Sequence, residues 1–298
     1  MSHRKHTWLT VAGALACAAG AFYWLHGRNA QTPIEVASAA DSTPLEAAGT
    51  RAPANATGKT PPASAEVKEV KKDAAAEAGL PLRAGEVLEY SADVSTLSKV
   101  ANLKLQVIEK SSFLGKSAWH LQAFAHTENP LRMVFALDDQ FDSYSDAVTM
   151  TSLQYEMRLN ERGQKVESIQ RMTATGKEPA SADATETRVL PGTRDPLGMM
   201  QFLRNVDWTK TAEVRSPVYD GHKLYDVLAK PVGGTWAVNV PAGKFTTSKI
   251  EIRVFQNGAE MKDSNFTLYL AKNPARTPVL LEAVLPFATA RVELQRAQ

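Results

Sequence analysis

From Pro81 onward the apolar residues recur at every second position, and a chain with that period can bury them only on one face of an extended strand. The alternation predicts strands at 87–94, 103–108, 119–125, 152–159 and 166–172 in the first half. In the second half it predicts strands at 212–219, 223–229, 235–240, 244–255, 265–271, 279–285 and 288–294. About a dozen strands are too many for one flat sheet. They separate at turn signals such as "NERGQK" around Gly163 and at Gly115. The fold class that follows is mainly β: a large curved antiparallel sheet or half-open barrel.

One stretch breaks the period. In "DPLGMMQFLR" Asp195 is a side-chain cap and Pro196 a first-turn proline, the pair that starts a helix. Met199, Phe202, Leu203 and Val206 then follow at helical spacing. This predicts one short amphipathic helix covering the open mouth or concave side of the sheet. With 44% hydrophobic residues the chain can fill a sizeable core, so the helix has two possible roles. It either plugs a solid core or, because methionine is flexible and polarizable, adapts to a bound apolar ligand.

The first 80 residues are of another kind. A basic head, "MSHRKH", precedes an uncharged run from Trp8 to Leu25, long enough to span a bilayer. The reading preferred is an uncleaved inner-membrane anchor with Arg4 and Lys5 inside, in residues 1–30. Cleavage after Ala30 in "GRNA" is the competing one and would release the protein to the periplasm. The only cysteine, Cys17, sits in this run, in a poor context for lipid attachment because Ala14 stands where a lipobox usually has Leu. Residues 31–80 are rich in Ala, Pro and Thr and hold too few core residues to fold, so they read as a disordered tether ending in a short solvated helix before Gly79. The domain proper is then 81–298.

Charge excludes one class of partner. Lys and Arg outnumber Asp and Glu by 34 to 32 over the chain, which is no basis for binding nucleic acid.

Five segments, "GEVLEYSADV" (85–94), "DPLGMMQFLR" (195–204), "VYDGHKLYDV" (218–227), "VPAGKFTTSKI" (240–250) and "LAKNPARTPVLLEAVLPFATARVEL" (270–294), occur in an order that resembles the exported bacterial domain of unknown function 3108 family. The resemblance covers 81–298 and implies a cell-envelope protein built on an extended antiparallel sheet. Its architecture is also similar to that of periplasmic lipoprotein carriers, whose half-open barrels are covered by helices, a likeness of fold that assigns no function.

No catalytic pattern stands out. There is no G-x-S-x-G, no H-E-x-x-H and no cysteine after Cys17. His120 and His126 lie about 20 Å apart along an extended strand, too far for one metal. With His222 they read as satisfied or solvated side chains. Asp138, Asp139, Asp142 and Asp146 in "LDDQFDSYSD" lack the spacing and central glycine of a calcium loop and read as turn-forming and edge-protecting aspartates. Gly233, Gly234 and Gly243 precede no helix that would hold a phosphate and read as hairpin turns. "YDGHKLYD" reads as a tight turn at Asp220-Gly221 that carries Tyr219 and Tyr225 into the flanking strands.

The expectation is therefore a non-catalytic envelope protein, without cofactor or metal, that binds a lipid, an acyl chain or a lipoprotein. Its candidate contact residues are Met199, Met200, Phe202, Leu203, Tyr219 and Tyr225, and its membrane partner is reached through residues 8–25. The alternative is an envelope scaffold with a solid core that binds another protein or a glycan.

Overall fold

The computed structural model describes residues 81–174, 185–262, 264–285 and 288–298. The anchor, Cys17, the cleavage site after Ala30, the tether and the short helix before Gly79 lie outside the described residues.

The first half runs β1 (Val87–Val94), β2 (Leu97–Phe113), β3 (Lys116–Thr127), a one-turn helix α1 (Leu131–Val134), β4 (Asp138–Asp146), β5 (Ser152–Glu161), β6 (Gln164–Ala174) and β7 (Thr185–Val189). Helix α2 (Pro196–Asn205) follows. The second half is β8 (Val214–Tyr219), β9 (Leu224–Val240), β10 (Gly243–Gln256), the short β11 (Ala259–Glu260), β12 (Asn265–Ala271), β13 (Pro278–Leu285) and β14 (Ala288–Ala297).

All belong to one sheet in the order β7-β6-β5-β4-β3-β2-β1-β14-β13-β12-β10-β9-β8, with β11 beside β10. Every pairing is antiparallel except β6 with β7. The first and last strands meet in the middle of the sheet, with Leu88 opposite Ala297 and Tyr90 opposite Leu294. The edge strands β7 and β8 are thereby left at the two ends of the sheet, and the structure brings those ends together. Arg194, just past β7, bridges to Val218 of β8: its N–H donates to Pro217 O at 3.0 Å, and its C=O accepts from Tyr219 N at 2.8 Å. The β8–β9 turn docks on β5 and β6, where Gln170 donates to Gly221 O at 2.6 Å. Gly221 has φ +102°, which favours glycine there, and a β-carbon on it would also displace the end of the Met157 side chain. The result is a nearly closed, barrel-like sheet whose exposed edges are largely removed.

Three expectations are corrected. The aspartate-rich segment is β4, an interior strand between β3 and β5 with Asp139 and Asp142 buried, and only Asp146 at its end forms a turn, its Oδ1 accepting the N–H groups of Val148 and Thr149 at 3.0 and 2.9 Å. Its polar side chains hid the period of two. Gly233 and Gly234 make no hairpin. β9 runs through them, and the register shift opposite Ser248, between the pairs Thr247–Trp236 and Lys249–Val232, makes them part of a bulge. The single covering helix is joined by α1. The turns at Asp220-Gly221 and at Gly243 are hairpins as expected, the former closed by Asp220 Oδ1 accepting the N–H groups of His222 and Lys223 at 2.8 and 2.7 Å.

Candidate functional site

α2 starts where the sequence predicts. Asp195 has φ −80° and ψ 172°, and its Oδ1 accepts the Gly198 N–H at 2.8 Å. Its Oδ2 accepts the hydroxyls of Ser143, at 2.5 Å, and Ser152, whose oxygen in turn accepts the Asp195 N–H at 2.6 Å. The carboxyl is fully buried, and burial pushes its pKa up. Small residues make this junction possible. A β-carbon on Gly198 would stand 2.8 Å from Ser145 Oγ and 3.0 Å from Met150 O, so the first turn lies almost directly on β4 and β5.

The other end is held by charge. Arg204 is fully buried and pairs with Glu86, just before β1, through two bonds of 2.8 and 3.0 Å. It also donates to Gln201 Oε1 and to Ala275 O, both at 2.8 Å. Arg276 closes the last turn, its Nη1 donating to the C=O groups of Arg204, Asn205 and Val206 at 3.1, 2.9 and 3.0 Å. These carbonyls have no partner within the helix, and a cation there also opposes the negative end of the helix dipole. The buried side of α2 is therefore only partly apolar: Leu197, Met199 and Leu203 share it with Gln201 and Arg204. Spacing could not reveal this, because a lone arginine in the last turn of a helix ordinarily reaches water.

Between these ends α2 leaves part of the sheet's inner face uncovered. Pro196, Met199, Met200 and Leu203 form one wall of a cleft of about 80 Å³, and Val218, Val227, Ile252, Val254, Phe266 and Leu281 form the other. Every lining side chain is apolar. The cleft gathers three of the six residues singled out from sequence, Met199, Met200 and Leu203. The other three lie elsewhere. Phe202 packs beneath the Arg194 guanidinium, whose carbon stands 3.6 Å from the ring centroid. Burial lowers the pKa of that arginine to about 10. Tyr219 and Tyr225 belong to the β8–β9 hairpin, where Tyr225 is buried and Tyr219 half-buried, and neither lines the cleft. The β-strand walls of the cleft were missed residue by residue, since inward-facing Val and Ile look alike along every strand.

The histidines of β3 and the aspartates of β4 have structural partners. His120 bonds Asp142 at 2.8 Å, and His126 bonds Asp138, which also takes Arg132 through bonds of 3.1 and 2.9 Å. Burial raises the Asp142 pKa but is outweighed by hydrogen bonds from His120, Gln140 and Gln122, so the carboxyl titrates below its ordinary range. Asp139, by contrast, is pushed by burial up to about 7, with the Asn160 N–H bond opposing the shift. Among the described residues no three His, Cys, Asp or Glu side chains converge as metal ligands.

Comparison with known proteins returns a family model described as "Protein of unknown function (DUF3108)", matching residues 89–295. No curated protein matches the chain. Among solved structures, it is similar to a β-barrel-like protein of domain of unknown function DUF1849 from Brucella abortus, with 11% identity and a TM-score of 0.48 over 72% of this chain and 97% of that one. It is also similar to a candidate lipoprotein from Parabacteroides distasonis, with 12% identity and a TM-score of 0.35 over 74% of this chain and 97% of that one. A protein with a YmcC-like fold from Bacteroides fragilis gives 11% identity and a TM-score of 0.30 over 74% of this chain and 98% of that one.

Proposed function

This chain belongs to the family of proteins of unknown function DUF3108, and we propose that it is an exported, non-catalytic cell-envelope protein that binds an apolar chain, of a lipid or a lipoprotein acyl group, on the inner face of its sheet. The observation that carries this reading is the cleft beside α2: ten lining residues, none polar, with two methionines on the helical wall. An apolar opening of this kind binds chains without orienting them for chemistry, and methionine side chains can repack around varied shapes. The basic head and the uncharged run at 8–25 support export, with the domain outside the inner membrane.

The test is binding of an uncharged fluorescent naphthylamine probe to the parent and to Met200→Ala and Val254→Trp. The expected result is saturable binding in the parent, altered affinity in Met200→Ala, and loss in Val254→Trp, where an indole fills the cleft. Saturable binding that ignores both substitutions would remove the cleft from the reading.

A scaffold with a solid core is the second reading, favoured by the firm hold on both ends of α2 and by the cleft's volume. About 80 Å³ is well below the roughly 300–1,000 Å³ of ordinary ligand pockets. Under it the probe does not bind, and α2 serves as a plug.

A further inference from the structure

The cleft is too small to house a whole lipid, and a larger opening lies further along the same strands. Ile252 and Val254 of β10 and Phe266 of β12 line the cleft. Further along the same strands lie Ser248 of β10, at the bulge, and Leu270 of β12, which pair with each other. Both line a second pocket, of about 540 Å³, beside the segment 206–209 that leaves α2. Between the two openings lie Ile250 and Leu268, opposite each other on β10 and β12 and fully buried. The second pocket is within the size range of ligand sites.

Its lining is amphiphilic. Val206 and Trp208, from the segment leaving α2, face Val232 of the β9 bulge and Leu270. At the rim stand Lys272 and Arg276, both from the β12–β13 connection. Lys272 donates to Thr235 Oγ1 at 2.6 Å, and Arg276 spends one nitrogen on the α2 carbonyls. Neither pairs with a carboxylate among the described residues. The one carboxylate in the lining, Asp207, is engaged by Lys210 at 3.3 Å and by the N–H and hydroxyl of Thr209. The pocket thus offers an apolar floor and two cations at one side.

We infer that this second pocket takes an anionic amphiphile, a single acyl chain with a carboxylate or phosphate head, with the head against Lys272 and Arg276 and the chain on the apolar floor. This rests on the reading of the domain as a binder of apolar chains and names the ligand's class and the seat of its head.

The experiment uses the full chain in phospholipid nanodiscs and two photoactivatable probes of equal length, a diazirine-bearing fatty acid and the corresponding fatty alcohol, with cross-links located by mass spectrometry. The acid is expected to label residues 231–234 and 270–276, and unlabelled dodecanoate to compete at a concentration about tenfold lower than dodecanol. Lys272→Glu should abolish that preference, and Lys272→Met, which keeps the apolar stem, should reduce it. Gly233→Leu should lower labelling by both probes, because its β-carbon would enter open space at the pocket without backbone strain. Equal competition by acid and alcohol, or a preference unchanged in Lys272→Glu, would overturn the head-group assignment while leaving apolar binding intact. If neither probe labels the inner face, residues 199–203 included, above a water-soluble diazirine, the broader reading fails with it.

Discussion

At Gly198 the helix and sheet come as near to each other as backbones allow. Alanine is the better helix former by about 1 kcal/mol in open solvent. Here its methyl would press on Ser145 Oγ and on the Met150 carbonyl, and only the first can move. Gly198→Ala should therefore destabilise the fold by about 1–3 kcal/mol, the ordinary cost of overpacking, as measured by chemical denaturation. Asp139 makes a different prediction. Its pKa is about 7 in the fold and about 4 in an unfolded chain, so between those values the folded protein holds a proton that the unfolded one has released. Its contribution to stability falls as pH rises from about 4 to 7 and is flat above. Asp139→Asn, which cannot ionise, should remove that slope. A denaturation series across the window, parent against variant, reads the difference.

Helix α2 is held by different means at its two ends: a buried cap at Asp195 and a buried ion pair at Arg204. Breaking the Arg204–Glu86 pair with Arg204→Met strands a buried carboxylate, at a cost of about 3–5 kcal/mol. Adding Glu86→Gln should recover a large part of it, because the uncompensated charge is gone. A double variant no better than Arg204→Met would mean that the helix is held by packing alone. The beginning of α2 was legible in sequence because a cap and a proline act locally. Its end was not, since the partner of Arg204 lies 118 positions earlier in the chain. The same distinction separates strands that were foreseen from those missed. β1 and β12 show their period because one face is wet. β4 conceals it, because aspartates and serines are accommodated on its buried positions by His120, Gln122, Asn160 and the start of α2.

At the scale of the molecule, the pairing of β1 with β14 joins the two ends of the domain, so that neither can be trimmed without opening the sheet. Limited proteolysis should cut the chain before about residue 81 and leave the remainder intact. Protection of 31–64 would contradict the tether read from composition. The bridge between Arg194 and β8 nearly closes the sheet, with one opening beside α2 and another beside the segment 206–209 that leaves it. The most direct test of the central claim, that this space takes an apolar chain, is lipid extraction and mass spectrometry of the protein purified from the cell envelope. The account predicts an acyl-bearing molecule recovered at close to one per chain and lost in Val254→Trp. Recovery of lipid-free protein, together with a parent that binds no apolar probe, would contradict it and leave α2 as a structural plug.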